Sequence, residues 1–117
     1  MLVGSIATGL LFAANAKVDE AKAKLKDKKF DDAIEILGAE YKAKPKSDEV
    51  RLALADAHLQ HGNFYMNNGQ MPPFRKYPAA LREFRKTLEY DKDNKQAKEN
   101  IALIEGIYKS MGREVPK

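Results

Sequence analysis

His58 and His61 are the chain's two histidines and stand three residues apart. On a helix that spacing puts both imidazoles on one side, where they could in principle share a metal ion. No third ligand lies near them in sequence, and Asp56 falls elsewhere around the helix, so neither a metal nor another cofactor is expected. Acids are plentiful, but Asp31-Asp32 and Asp48-Glu49 each open a helical pattern, where the helix dipole favours negative charge. No Ser/His/Asp arrangement, phosphate-cradling glycine loop or catalytic carboxylate pair stands out. The lack of Cys excludes disulfides, thiolate metal sites, Cys nucleophiles and a lipidated Cys anchor. No catalytic residue is assigned, and an enzyme is not expected.

Recognition chemistry is better represented. Phe64, Tyr65, Met66, Met71 and Phe74 share one stretch with Asn68-Gly69, Pro72-Pro73 and Arg75-Lys76. Aromatics, Met and Arg are the residue types enriched at interface cores. Phe64, Tyr65, Met66, Met71, Phe74 and Arg75 are therefore read as a docking element; the alternative is a loop folded back over neighbouring helices. Residues 17–29 hold six Lys against three acids, the nearest approach to a basic patch. It falls short of the concentrated charge that nucleic acid requires, and nucleic acid is not expected as a partner. The net charge of +4 mixes 21 basic with 17 acidic residues in 117, which suits one small domain of helices with solvated outer faces.

Helices must position these groups. Val18, Ala21 and Leu25 make a narrow apolar stripe on a helix over residues 17–29. A second helix, 31–43, buries Ala33, Ile34, Leu37 and Tyr41, with Ile36 at its margin, and Pro45 stops it. Ser47 is the N-cap of a third. There Leu52, Ala55 and Leu59 form one stripe, and Leu54, Ala57 and His58 lie beside it. Gly62 follows, at the place that the resemblance given below assigns to a turn glycine, although Phe64 to Met66 are not turn formers and could extend the helix. Tyr77-Pro78 opens a fourth helix, with Pro in its first turn, burying Ala80, Leu81, Phe84 and Leu88. A last helix over about 95–111 buries Ala97, Ile101, Ile104, Tyr108 and Met111, with Gly112 suited to its C-cap.

Phe30 to Leu37, followed by Pro45, returns altered as Tyr77 to Phe84, followed by Asp91 to Asn94. Each copy has an aromatic, then an alanine, then a large apolar residue four places on. With Ala33, Leu37, Pro45, Leu54, Ala55, Gly62, Tyr77, Ala80, Phe84, Ile101 and Ala102 at matching positions, residues 17–111 resemble a tetratricopeptide-repeat (TPR) protein of about two and a half repeats. The resemblance implies an all-α fold of antiparallel helix-turn-helix repeats, a TPR-like solenoid with a C-terminal capping helix. Counted against the family's usual length of about 34, about 13 residues, 64–76, are inserted. The family's large residue early in helix A is replaced by Lys17 and Arg51, and its small residue late in helix B by Glu40 and Thr87.

The resemblance also implies a groove lined by the A helices. Its lining would be Val18, Asp19, Lys22, Leu25 and Lys26, then Glu49, Leu52, Ala53, Asp56, Leu59 and Gln60. Such a mix could hold an extended or helical peptide; equally, Val18, Leu25, Leu52 and Leu59 could pack on an N-terminal helix. Chaperone-binding members hold a terminal carboxylate with a Lys/Asn/Arg clamp. Val18 and Ala53 stand at two of those positions, which speaks against that activity.

Residues 1–16 carry no charged side chain and end in Ala14-Asn15-Ala16, before Lys17 opens the charged region. Three readings stand: a signal peptide cleaved after this A-x-A signature, an uncleaved membrane helix, or an apolar helix packed on the repeats or a partner. Sixteen residues are fewer than the roughly 20 that span a bilayer. The expected organisation is 1–16 as signal peptide or N-terminal helix or anchor, and 17–117 as the repeat domain. The expected function is a protein–protein interaction module or scaffold, exported, periplasmic or membrane-tethered, with self-association or a partner completing the short stack. The alternatives are a structural accessory subunit of a membrane or surface assembly, held by the N-terminal helix, and a cytoplasmic location.

Overall fold

In a computed structural model of the protein, residues 15–117 are described. They form five helices and no strand: α1 Ala16–Lys26, α2 Phe30–Ala43, α3 Asp48–Met66, α4 Pro73–Tyr90 and α5 Lys95–Ser110. Each helix packs on the next in the chain, and α1 also reaches α3. The architecture is thus two antiparallel helical hairpins and a final helix. The expected signal peptide or membrane helix falls outside the described residues, apart from its last two. Among the described residues no helix is long and apolar enough to cross a membrane.

Side-chain caps start three of the helices. Asn15 Oδ1 accepts the Val18 N–H at 3.0 Å, Ser47 Oγ that of Val50 at 3.2 Å, and Asn94 Oδ1 that of Ala97 at 2.9 Å. Each contributes about 1 kcal/mol by satisfying a donor with no partner inside the helix. Two helices end in the same hydrogen-bonded turn. After α5, Gly112 takes φ +67°, its N–H bonds Lys109 O at 3.0 Å, and the Arg113 N–H bonds Tyr108 O at 2.9 Å. After α1 the pattern repeats with a lysine in the glycine's place. Lys28 takes φ +58°, its N–H bonds Leu25 O at 3.0 Å, and the Lys29 N–H bonds Lys24 O at 2.9 Å. A left-handed residue that is not glycine costs about 1 kcal/mol or more. Because of this turn α1 stops at Lys26, three residues short of the expected 29.

Two apolar cores share α3. In the first, Val18, Ala21 and Leu25 of α1 meet Phe30, Ala33 and Leu37 of α2 and Val50, Leu54 and Ala57 of α3. In the second, Leu59 of α3 joins Ala80, Leu81 and Phe84 of α4 and Ala97, Ile104 and Tyr108 of α5. Leu52, placed by its spacing on the buried stripe, is 45% exposed because both cores lie on other faces of α3. Met111, expected inside, is also exposed; it caps α5 beyond the last buried turn.

The residues that depart from the TPR pattern have local partners. Arg51 Nη1 donates to the Tyr90 carbonyl at the end of α4, and Nη2 pairs with Asp48 Oδ1 at 3.2 Å. Buried Thr87 donates its hydroxyl to Glu83 O at 3.1 Å, and Glu40 pairs with Lys44 at 3.2 Å.

Two boundaries differ from expectation. Gly62 is not a turn: α3 runs through it to Met66. The reason is close approach, since a Cβ on Gly62 would lie 2.6 Å from Phe84 Cε1. Pro78 is not in a first turn: α4 begins four residues before Tyr77, at Pro73, with Pro72 as N-cap. Pro78 therefore sits inside the helix and removes the N–H that the Phe74 carbonyl would accept. The two helices absorb most of the expected 64–76 insertion, leaving 67–72 as the connection.

Gly62→Ala is expected to destabilise the fold by about 2 kcal/mol in urea denaturation, because the Phe84 ring is fully buried and cannot yield. Gly106→Ala, with nothing within 4 Å of its Cβ, is expected to stabilise by about 0.5–1 kcal/mol, the ordinary helical preference for Ala. Equal signs for the two would refute the close-packing role of Gly62.

Candidate functional site

Past Gly62, α3 outruns α1 and becomes one wall of a cavity of about 650 Å³. Leu25, Lys26 and Lys28 come from the end of α1, and Phe30 from the start of α2. Gln60, Asn63, Phe64 and Asn67 come from α3 and its cap, and Asn68, Gly69 and Gln70 from the connection. Five of these carry side-chain amides, two are lysines and none is an acid. Phe64 is 40% exposed, and its ring meets that of Phe30 at 5.2 Å. The Asn63 amide is tied to α5, donating to Gln96 Oε1 and accepting from Asn100 Nδ2, both at 3.0 Å. Asn68 Oδ1 accepts the Gln70 N–H at 3.0 Å and shapes the connection. The wall is thus braced from behind while its aromatic face stays open.

Directly behind this wall lies a buried polar cluster. His58 Nδ1 donates to Glu83 Oε1 at 2.9 Å, and His61 Nδ1 lies 3.2 Å from the same oxygen without the alignment of a hydrogen bond. All three residues are buried. Arg82 Nε is 3.8 Å from the other carboxylate oxygen. Rings continue on both sides. His61 stacks on Phe30 at 4.9 Å and on Tyr65 at 4.5 Å, and His58 stacks on Tyr90 at 5.9 Å. Burial alone would push the Glu83 pKa up. The hydrogen bond from His58 and the nearby His61 more than offset it and hold the carboxyl down to about 2.

The expected site residues fall into three groups. Leu25, Lys26, Gln60 and Phe64 come together around the cavity. Lys22, Glu49, Leu52 and Asp56 are exposed on α1 and α3 but do not line it. Val18 and Leu59 are buried in the cores, and Leu25, although it lines the cavity, is also largely buried. The expected docking element is divided. Tyr65 and Met66 pack against the second core, and Met71 is half-buried in the connection. Arg75 and Phe74 are exposed on α4, and Phe74 lines a separate cavity of about 430 Å³ with Pro73, Tyr108 and Met111.

Sequence reasoning missed Lys28, Phe30, Asn63 and Asn67 in the cavity. It also missed Glu83 as the third member of the histidine cluster. The signal for Glu83 was present: with Ala80 and Thr87 it stands at i, i+3 and i+7 of the buried stripe of α4, an acid where an apolar residue is usual. Glu83 does not complete a metal centre. Among the described residues no group of three or more His, Cys, Asp or Glu is arranged to hold a metal ion.

Paired helices that stack in sequence order define a helical-repeat protein, a class whose members bury each unit against its neighbours. The family model of the tetratricopeptide repeat matches residues 24–64, which run from the end of α1 through α2 and most of α3. The five described helices are consistent with a small TPR-like protein, and tetratricopeptide repeats generally mediate protein–protein interactions. No curated protein and no solved structure matches the chain.

Because the Glu83 pKa is lowered from 4.5 to about 2 in the folded protein, its contribution is complete above about pH 4.5 and is lost as pH falls through 2. A shift of that size is worth about 3 kcal/mol. Glu83→Gln is expected to lower stability at pH 7 by up to that amount, and to flatten the stability curve between about pH 4.5 and 2. Urea denaturation of both proteins across that range is the measurement, and parallel curves would exclude the cluster as the origin of acid sensitivity.

Proposed function

We propose that this protein is an interaction module that holds a segment of a partner protein in the cavity between the end of α1, the start of α2 and the overhang of α3. The half-exposed Phe64 ring carries the reading. It is a large apolar side chain left open, beside Phe30, in a cavity within the size range of ligand sites. Aromatic faces anchor a partner's side chains, and the surrounding amides can bond peptide N–H and C=O groups. The exposed residues of the expected groove, Lys22, Glu49, Leu52 and Asp56, are a flank along which a longer partner can continue.

A structural subunit that keeps its N-terminal segment is the second reading, and one observation favours it. Asn15 caps α1 through Val18 and is itself buried. Cleavage after Ala16 would remove that cap and place a new α-amino charge at the positive end of the helix dipole. Export by way of the uncharged first sixteen residues belongs to this proposal in either form: a cleaved leader for a free module, or a retained anchor for a subunit.

Phe64→Ala is expected to weaken binding of peptides selected from a displayed random library by about tenfold or more, the loss typical of a central aromatic anchor. In the unmutated protein those peptides are expected to shift the backbone NMR signals of Asn63, Phe64 and Asn67. Shifts confined to the Lys22–Leu52–Asp56 flank would move the site out of the cavity. Intact mass of the protein from its native host separates the two forms of the proposal. A chain beginning at Lys17 supports the free module, and one retaining Met1 to Ala16 supports the subunit.

A further inference from the structure

Among the described residues Lys28 is the one non-glycine residue with positive φ. The matching turn after α5 has glycine at the same place. Glycine would meet the backbone demand of both turns at less cost. Lys28 is exposed, and among the described residues no acid forms an ion pair with it that would offset the cost. Strain of this kind persists at positions where the side chain serves another purpose, and the inference runs from the observed outlier to the function. The position supplies the purpose. Lys28 stands on the lip of the cavity with Lys26, facing a lining that contains amides and aromatics and no acid.

Resting on the cavity reading above, we propose that Lys26 and Lys28 receive the carboxylates of an acidic, extended segment of the partner protein. Its apolar side chain packs on Phe30 and Phe64. Lysine suits this task as a compact charge with three donors on a flexible stem. Asp27 stands between the two lysines in the chain but does not line the cavity, and Asp31 and Asp32 line a neighbouring cavity that shares Lys28, Phe30 and Phe64 with it. Asp31 and Asp32 disfavour carboxylates on their side of Lys28, which leaves the side that it shares with Lys26.

Three capped peptides test this, each with one central Phe, flanked by Glu, by Gln or by Lys, and titrated against the full chain by fluorescence anisotropy. The Glu peptide is expected to bind about tenfold tighter than the Gln peptide at low salt, with the gap closing as ionic strength rises. Lys28→Gly is expected to raise the urea midpoint yet weaken the Glu peptide several-fold and leave the Gln peptide unchanged. This variant folds better and binds worse, so loss of fold cannot explain its effect. Equal binding of the Glu and Gln peptides overturns the carboxylate proposal and leaves the cavity reading standing. Failure of all three peptides removes the cavity reading as well. Tighter binding of a labelled single-stranded oligonucleotide than of the Glu peptide overturns the proposal in favour of a general polyanion site. Unchanged Glu-peptide affinity in Lys28→Gly overturns the role of Lys28.

Discussion

The Glu83 carboxylate, hydrogen-bonded by His58 of α3 and approached by His61, is the interaction on which the arrangement depends. It lies where the first core ends, at Ala57, and the second begins, at Leu59. A buried charge without partners is among the most costly features a small protein can carry. Here the hydrogen bond from His58 and the charge-favouring contact with His61 compensate that cost only while α3 and α4 keep their register. The rings extend the same constraint outward. Phe30 of α2 stacks on His61, and Tyr90 of α4 stacks on His58 while meeting Tyr41 of α2 edge-on. One carboxylate thus fixes the relation of three helices. A short repeat stack has few neighbours to bury each unit against, and a polar lock of this kind supplies specificity that apolar contact alone would leave loose.

The elongation of α3 depends on that lock and on one missing side chain. Gly62 lets the Phe84 ring lie against the α3 backbone, and with the two helices so close the chain continues as helix through Asn63 and Phe64. In the sequence Gly62 carries two meanings, a family turn glycine and a point of close approach, and only the position of Phe84 decides between them. The stripe on α4 was readable because Ala80, Leu81 and Phe84 repeat at helical spacing. The stripe on α3 was not. That helix serves two cores on different faces, so its apolar pattern is broad, and the best single stripe through it wrongly included Leu52.

The cavity was half legible for the same reason. Leu25, Lys26 and Gln60 could be placed by the family pattern, and Phe64 by its residue type. Lys28, Phe30 and Asn67 could not, because they stand at ends and corners, where a shift of one residue changes what faces inward. Pairing Glu83 with His58 and His61 needed the antiparallel crossing of α3 and α4. Periodicity within either helix does not supply that crossing.

Helix ends are where this protein departs most from what local stability favours, and the departures share a direction. The turn after α1 holds a strained lysine where the turn after α5 holds glycine. Pro78 interrupts the hydrogen bonding of α4 beside the exposed Phe74. The cores show no such concession: Ala21, Ala33, Val50, Ala57, Leu81 and Phe84 are fully enclosed. A fold with a small margin of stability can carry a few kilocalories of local cost at its edges only if its centre is closely packed. The Glu83 lock and the Gly62–Phe84 contact provide that centre. The N-terminal boundary follows the same logic. Composition divides the chain between Ala16 and Lys17, whereas the hydrogen bonding of α1 begins at Asn15, so the uncharged segment and the repeat domain overlap by two residues.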